Sequence, residues 1–284
     1  MVVANLAIRG SKVLEELFST KKPVIGVIHL LPLPGSARWD GHMEPVCLRA
    51  EQEAAALATG GVNGIIVENF FDAPFVKNRV DTATACAMTL AIKRISAICD
   101  LPIGVNVLRN DGFSALAIAA ACGAQFIRIN ILTGAMLTDQ GIIEGEAHEL
   151  HRYRRQLLAH KNVKIFADVM VKHASPLSPN ADIKLMAKDT VARGLADAII
   201  ISGTGTGSAP DMTDLEKVRE ALPDTPILIG SGTSNENAAQ LLSIADGVIV
   251  ASSLKRQGIL ENPVDVERVR TLVNSVRKLD AKPA

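Results

Sequence analysis

The chain has 284 residues, of which 48% are apolar and 21% are charged. Its formal net charge is zero, so the field of the whole protein attracts neither nucleic acid nor an anionic membrane surface. No uncharged run approaches the ~18 apolar residues of a membrane-spanning helix, and residues 1–22 hold no run long enough for a signal peptide. We therefore expect a cytoplasmic protein that neither crosses a membrane nor binds nucleic acid.

The aromatic and cysteine content indicates an aliphatic, reduced core. One Trp and one Tyr occur in the whole chain. Cys47, Cys86, Cys99 and Cys122 fall within apolar helix-like runs and lack the close pairs of a zinc site. We interpret all four as reduced core residues, which is typical of a cytosolic compartment.

Strand and helix patterns alternate along the chain. A short amphipathic segment over 11–19 precedes the first strand, and each later strand is a short apolar run bounded by turn residues. The predicted strands are 24–29, 64–68, 102–106, 126–130, 163–168, 198–202, 226–230 and 246–250. The predicted helices that separate and follow them are 44–60, 81–98, 111–122, 144–160, 182–193, 214–222, 235–244 and 264–278.

This alternation of eight strands with helices predicts a (β/α)8 barrel, the α/β TIM-barrel fold. Such a barrel takes about 250 residues, which fits the length of the chain. No low-complexity linker marks a second domain. We therefore expect one barrel domain over 1–284, with a short helical extension at about 1–22.

The last two predicted strands each end in a loop of small residues. The first opens into the segment 230–234, Gly-Ser-Gly-Thr-Ser, and the second into 251–253, Ala-Ser-Ser. In (β/α)8 barrels the loops after the last two strands bind phosphate groups through backbone N–H groups. We predict phosphate binding by these loops, and two ordinary strand-to-helix turns are the alternative. The predicted phosphate-binding residues are Gly230, Ser231, Gly232, Ser252 and Ser253.

A glycine-rich loop follows the sixth predicted strand. Ser202 to Ser208 contains three alternating glycines, which free the backbone to wrap around a ligand. The spacing of these glycines does not follow the full dinucleotide-binding pattern. We place Ser202 and Gly203 among the ligand-binding candidates, and the loop is either a cradle or a mobile lid.

Six of the eight predicted strands end in a polar side chain. Because side chains alternate along a strand, each of these residues shares the direction of a core-facing residue two positions earlier. Packing alone does not need such a ring, since an ionised side chain loses hydration when it is buried. The ring consists of His29, Glu68, Asn106, Asn130, Asp168 and Ser202, with Arg128 two positions before Asn130.

The ring contains candidates for acid–base catalysis. Asp168 lies four and five residues before Lys172 and His173, and an acid and a base at one strand end are typical of tuned acid–base pairs. The predicted catalytic residues are Asp168, Glu68, His29 and Lys172. The predicted substrate-binding residues in the ring are Asn106, Arg128, Asn130 and Ser202.

Structural explanations for the same residues stay open. Arg128 could be an ion-pair partner inside the barrel, with Glu68 or Asp168 as its carboxylate. His29 could be a hydrogen-bonded core histidine, and the two asparagines could only satisfy loop backbone. A metal site built from His173 and the acid and histidine members of the ring has no supporting spacing motif, so we expect no metal.

The loop after the second predicted strand is rich in aromatic residues. Residues 69–78 hold three of the seven phenylalanines of the chain, Phe70, Phe71 and Phe75. Exposed aromatic residues in a loop form a lid or a protein-docking surface, and packing across the barrel mouth is the commoner arrangement. The basic segment 151–155 is expected to be a solvated outer face, so this loop is the better candidate for attachment to a membrane-bound partner.

Six segments of the sequence resemble the BtpA family of photosystem I biogenesis proteins. The resemblance extends from about Val24 to the last helix, with the segments in register. The six segments are 24–35, 65–75, 104–111, 128–134, 139–145 and 168–173. The resemblance implies a barrel of the ribulose-phosphate-binding type. For photosynthetic members it implies a peripheral thylakoid protein needed for stable accumulation of the photosystem I reaction-centre proteins. It supplies no established catalytic residues.

Two functions are therefore expected. The first is a photosystem I biogenesis factor, peripheral to the cytoplasmic side of the thylakoid membrane, with an anion pocket at the strand ends. Its partners would be the reaction-centre proteins or their assembly machinery. The alternative is a metabolic enzyme that acts on a small phosphorylated substrate by isomerisation, aldol chemistry or hydrolysis. We expect a homo-oligomer in either case, and the sequence identifies no cofactor.

Overall fold

Eight parallel strands form a closed barrel in the computed structural model, which describes residues 10–203, 205 and 207–280. The barrel strands are β1 (Val24–His29), β2 (Gly64–Glu68), β3 (Ile103–Asn106), β4 (Phe126–Ile129), β7 (Lys164–Val169), β9 (Ala198–Ile201), β10 (Ile227–Ile229) and β11 (Gly247–Val250). Their order around the barrel is β1-β11-β10-β9-β7-β4-β3-β2. The predicted (β/α)8 fold is confirmed, and each predicted strand agrees with the structure to within one residue at either end.

Helices connect the strands on the outside of the barrel. They are α1 (Gly10–Phe18), α2 (Met43–Gly60), α3 (Thr82–Ser96), α4 (Gly112–Cys122), α5 (Ala147–Gln156), α6 (Ile183–Ala192), α7 (Met212–Ala221), α8 (Ala238–Leu241) and α9 (Val266–Asp280). Asp111 caps α4 by accepting a hydrogen bond from the N–H of Ser114, as predicted, whereas Asp81 precedes α3 without a side-chain capping bond. Within the described part of the chain, no helix is both long enough and apolar enough to cross a membrane.

A small antiparallel sheet, absent from the sequence-based prediction, lies in the loops after β4 and β7. It consists of β5 (Ala135–Thr138), β6 (Gly141–Glu144) and β8 (Ala174–Pro176), with β5 in the middle. Gly141, at φ +93°, lets the chain reverse after Gln140, and the Thr138 hydroxyl donates to the Gly141 carbonyl at 2.8 Å. The predicted helix at 144–160 was therefore wrong at its start, because Glu144 still pairs with Ala135 in this sheet.

The barrel interior is filled by an aromatic layer near its amino-terminal end. Phe126 and Phe166 stack with ring centroids 4.8 Å apart, and Phe18 of α1 packs edge-on against Phe126 at 5.6 Å. Gly104 makes room for this layer, since a side chain there would collide with the Phe126 ring. Helix α1 thus closes the amino-terminal end of the barrel, and the polar ends of the strands lie above the aromatic layer.

The cysteines only partly follow the prediction of a core position. All four are free thiols. Cys47 and Cys99 are buried and Cys122 is half-buried, but Cys86 is exposed. The prediction was wrong for Cys86 because the buried face of α3 passes through Ala87 and Met88, which leaves the neighbouring position on the outside.

We expect Phe18→Ala to lower the free energy of unfolding by about 3–5 kcal/mol, because it opens a cavity beneath the two stacked phenylalanines. Urea unfolding followed by circular dichroism measures this difference. Glu16→Ala, at an exposed position of the same helix, is the matched control and should change stability little. Equal stability of the two variants would show that α1 does not hold the barrel interior.

Candidate active site

The side chains of the predicted polar ring lie around one buried arginine. Arg128 is 2% exposed, and its Nε and Nη2 each donate to one oxygen of the Asp168 carboxylate at 2.8 Å. Its Nη1 donates to Oε1 of Glu68 at 3.2 Å. The sequence analysis left Glu68 or Asp168 as the ion-pair partner of Arg128, and both carboxylates contact it. Because the Asp168 contact is bidentate, it fixes the plane of the guanidinium as well as its charge.

Asp168 is fully engaged in holding this arrangement. Beyond the two bonds from Arg128, its Oδ2 accepts from Asn130 Nδ2 at 3.0 Å, and its Oδ1 accepts from the Ser202 hydroxyl at 3.4 Å. Such a carboxylate has few lone pairs left for a substrate proton. Of the predicted catalytic residues, Asp168 is therefore better suited to positioning Arg128 than to acting as a base.

Glu68 is a buried carboxylate that stays ionised. Burial alone would raise its pKa, but the interaction with His29 and the charge of Arg128 outweigh burial and lower the pKa to about 2. Its Oε2 lies 3.7 Å from Nε2 of His29, longer than a hydrogen bond. Glu68 thus carries a full negative charge at the barrel mouth, held in place by Arg128.

His29 is buried in its neutral form. Burial lowers the pKa of its imidazole, and the nearby carboxylate of Glu68 offsets this only in part. The ring of Phe70 stacks on the imidazole with centroids 4.2 Å apart, so this aromatic residue packs across the barrel mouth. Nδ1 of His29 is enclosed and has no hydrogen-bond partner in the described part of the structure. That nitrogen is therefore an unsatisfied buried polar atom of the ring.

Lys172 lines the same pocket as His29, Glu68 and Arg128. Its side chain is half-buried, and its ammonium group has no hydrogen bond or ion pair with any residue that the structure describes. Burial and the charge of Arg128 lower the pKa of this amine, while Glu68 partly offsets the shift. A lowered pKa increases the fraction of neutral amine at a given pH, and the neutral amine is the form that acts as a nucleophile or a base.

The two predicted phosphate loops line this pocket as well. Residues 230–233 follow β10 and residues 251–253 follow β11, and the Ser253 hydroxyl joins the loops by donating to the Thr233 carbonyl at 2.7 Å. The backbone N–H groups of Ser231, Gly232 and Thr233 donate to no acceptor among the described residues. Three neighbouring free donors are suited to the oxygens of an anion.

The glycine-rich loop packs against the first phosphate loop. The Ser231 hydroxyl donates to the Ser208 carbonyl at 2.9 Å. A side chain at Gly203 would collide with the carbonyl of Ser208, and one at Gly232 would collide with the backbone of Ala209. Glycine is needed at both positions because the two backbones approach closely. Gly207 lines the pocket, so the described part of this loop forms part of the pocket wall.

The remaining predicted residues of the ring form hydrogen bonds that hold the ring together. Asn106 Nδ2 donates to the Arg128 carbonyl at 3.0 Å, while the side-chain oxygens of Asn106 and Asn130 are enclosed and lack partners in the described structure. His173 is exposed and is not among the residues that line the pocket. Among the described residues, no three His, Cys, Asp or Glu side chains cluster as metal ligands would.

Arg109 is a site residue that the sequence analysis missed. It follows β3 and is 4% exposed, and its Nη2 donates to the Lys172 carbonyl at 2.6 Å. Burial lowers its pKa, and the carboxylates of Asp168 and Asp139 offset this in part. The sequence signal for Arg109 was a charged residue shortly after a strand end. It lay outside the predicted ring of strand-end residues because Arg109 is three positions beyond Asn106.

The chain is similar over nearly its whole length to proteins of known families. The model of the BtpA family matches residues 20–278. The Photosystem I biogenesis protein BtpA of Synechocystis is 56% identical over 273 residues, covering 95% of this chain and 94% of that protein. An uncharacterized protein of Thermococcus kodakarensis is 46% identical over 259 residues, covering 91% of this chain and 97% of the relative.

Solved structures similar to this chain are barrels of low sequence identity. Thiamine phosphate pyrophosphorylase from Pyrococcus furiosus has a TM-score of 0.54 at 15% identity, covering 91% of this chain and 96% of that one. N-(5'-phosphoribosyl)anthranilate isomerase from the same organism has a TM-score of 0.55 at 12% identity, covering 90% and 99%. At this identity the likeness extends to the fold alone.

Glu68 should make the stability of the protein depend on pH in the acid range. Its folded pKa of about 2 lies below its ordinary value of 4.5, so its stabilisation is complete above pH 4.5 and is lost as the pH falls toward 2. Between about pH 6 and about pH 3, we expect the wild type to lose about 2 kcal/mol more than Glu68→Gln. Urea unfolding at both pH values tests this, and parallel losses would contradict the assigned charge.

Proposed function

We propose that this chain, which belongs to the BtpA family, is an enzyme that binds a small phosphorylated substrate at the carboxyl end of its barrel. One observation supports this most directly. Four residues line the same pocket: Ser231, Gly232 and Thr233, whose N–H groups have no acceptor among the described residues, and Lys172, whose ammonium group has no partner among them. A phosphate group would satisfy the backbone donors and place the rest of the substrate beside the lysine.

The charges around the pocket favour an anionic ligand. Of the charged side chains that line the pocket, two are cations, Arg128 and Lys172, and one is a carboxylate, Glu68. The buried histidine is neutral and does not change this balance. Positive charge that is partly removed from water attracts an anion more strongly than the same charge on the surface. The neutral charge of the whole chain therefore does not argue against a local anion site.

The free groups suggest the type of chemistry. An amine with a lowered pKa can remove a proton next to a carbonyl group or attack the carbonyl carbon. These are first steps of isomerase and aldolase reactions on sugar-phosphate-like substrates. Glu68 stays charged near the amine, whereas the unpaired Nδ1 of His29 is enclosed among the described residues. Asp168 and Arg128 would hold these groups in place without reacting.

The comparisons add two general supports. Both reported structural neighbours carry a phosphorylated compound in their names, and they share the barrel fold with this chain. A relative of nearly full coverage in Thermococcus kodakarensis has no photosynthetic role in its name. A small-molecule reaction at the strand ends could be common to all such relatives, whatever cellular process it serves.

Phosphate should stabilise the protein through this pocket. At about 100 times its dissociation constant, inorganic phosphate should add about 2.7 kcal/mol, visible as a melting temperature several degrees higher. Lys172→Met should weaken phosphate binding about tenfold, because a charge-assisted hydrogen bond is lost. Differential scanning calorimetry at increasing phosphate measures both effects.

Lys188→Met is the matched control, since it removes the same charge from an exposed position of α6. It should keep the wild-type response to phosphate. The proposal fails if the wild type shows no stabilisation by phosphate, or if the two lysine variants respond alike.

A role in photosystem I biogenesis is the second candidate, and the 56% identity to the Synechocystis protein favours it. In this function the chain would act at the cytoplasmic side of the thylakoid membrane, with reaction-centre proteins or their assembly machinery as partners. The docking element would be the aromatic loop at 70–75. Phe70 stacks on His29, and Phe71 packs edge-on against both rings. Phe71 and Phe75 are half-buried and keep apolar surface exposed. Their contact with a partner would bury that surface.

Replacing Phe71 and Phe75 with Ser should release the protein from thylakoid membranes without weakening phosphate binding. Membrane fractionation of a photosynthetic host that expresses the double variant, combined with a phosphate melt, measures both properties. Retention of the variant on the membrane would contradict docking through this loop. Loss of phosphate binding with normal retention would instead make the loop a substrate lid.

A further inference from the structure

Arg109 is a buried cation without a carboxylate partner. The structure describes four buried basic side chains, and three of them form ion pairs: Arg128 with Asp168 and Glu68, Arg154 with Asp197 at 3.1 Å, and Lys255 with Glu53 at 2.6 Å. Arg109 instead donates from Nη2 to the Lys172 carbonyl at 2.6 Å and makes a long contact of 3.5 Å to the His173 carbonyl. Its charge is therefore not balanced by a direct contact within the described chain.

Two of its nitrogens are also left without acceptors. Nε of Arg109 is enclosed and has no hydrogen-bond partner in the described structure, and Nη1 donates to no described group. A guanidinium keeps its charge in proteins, so burying it with unused donors is costly. Nη1 is not among the enclosed nitrogens, so a carboxylate or phosphate oxygen that bound there would balance the charge.

The barrel order sets Arg109 across the mouth from the phosphate cradle. Arg109 follows β3, and the first phosphate loop follows β10, which is four places away in a ring of eight strands. Strand β7, whose end leads to Lys172, lies two places from each. A ligand that spans the mouth would therefore meet the phosphate loops at one end and Arg109 at the other, with the lysine between them.

We infer that the substrate carries a second acidic group, a carboxylate or a further phosphate, that pairs with Arg109 while its first phosphate occupies the loops after β10 and β11. This inference rests on the proposed function and narrows it to phosphorylated acids and bisphosphates. It makes Arg109 a specificity-determining residue. The carbon chain between the two acidic groups lies beside Lys172, where a carbonyl or an acidic C–H bond would react.

The test compares ligands that differ only in the second acidic group. Phosphoglycolate, phosphoglycerate and phosphoerythronate span a range of lengths. Each is paired with the polyol phosphate of equal chain length, its neutral partner, in which an uncharged CH2OH group replaces the carboxylate. Isothermal titration calorimetry on the full chain gives the dissociation constants. We expect one of the acids to bind the wild type about tenfold more tightly than its neutral partner, because it gains a charge-assisted contact. A matching series of bisphosphates distinguishes a second phosphate from a carboxylate.

Arg109→Gln should abolish this preference and leave the affinity for inorganic phosphate unchanged. Arg109→Lys, which keeps the charge but not the planar fork, should retain part of it. Arg152→Gln removes an exposed arginine of α5 and is the matched control for a general effect of charge; it should behave as the wild type.

The outcomes separate this inference from the proposed function. If inorganic phosphate binds but no acid or bisphosphate gains affinity over its neutral partner, the role of Arg109 is wrong and the phosphate site stands. If Arg109→Gln still binds the acid more tightly than its neutral partner, the role of Arg109 is also wrong. If the acids bind and inorganic phosphate does not, the phosphate cradle is wrong and the arginine site stands. Absence of all binding overturns both.

Discussion

A guanidinium buried inside an apolar barrel needs its charge balanced, and this need organises the mouth of the molecule. Arg128 extends from β4 above two stacked phenylalanines, where water cannot compensate its charge. Two carboxylates from neighbouring parts of the ring, Asp168 and Glu68, supply the balance. Removal of either carboxylate would leave a buried charge short of a partner, so the three side chains form one unit.

The same unit constrains the loop after β10. A side chain at Gly230 would collide with the Ser202 hydroxyl and come within 3.2 Å of Nη2 of Arg128. Glycine at this position therefore lets the ion-paired ring and the loop 230–233 lie side by side. The N–H groups of the next three residues donate to no acceptor among the described residues. The packing of the ring thus constrains the loop that lines the pocket beside it.

The barrel and its ring were readable from sequence because both depend on local periodicity. Short apolar runs bounded by turn residues gave the strands, and the alternation of side chains gave the direction of the polar residue that ends six of them, as with Val27 and His29. The sheet of 135–138, 141–144 and 174–176 was missed because its two-residue turn lies between the predicted strand 126–130 and the predicted helix 144–160, where no strand was predicted. The pairing of Arg128 with both carboxylates depends on contacts between distant strands, so sequence could only leave the partner open.

The contrast between paired and unpaired charges best separates the frame of the site from its reactive part. Asp168 ranked first among the catalytic candidates because it ends a strand, yet its oxygens are occupied by Arg128, Asn130 and Ser202. Lys172 and Arg109 lie beyond the strand ends, where loop conformation decides their neighbours, and neither has an ion-pair partner among the described residues. Fully paired groups resist change, whereas unpaired charges removed from water gain most from a ligand. The frame of this site is therefore built from strand residues, whereas its unpaired charges among the described residues lie in the loops above them.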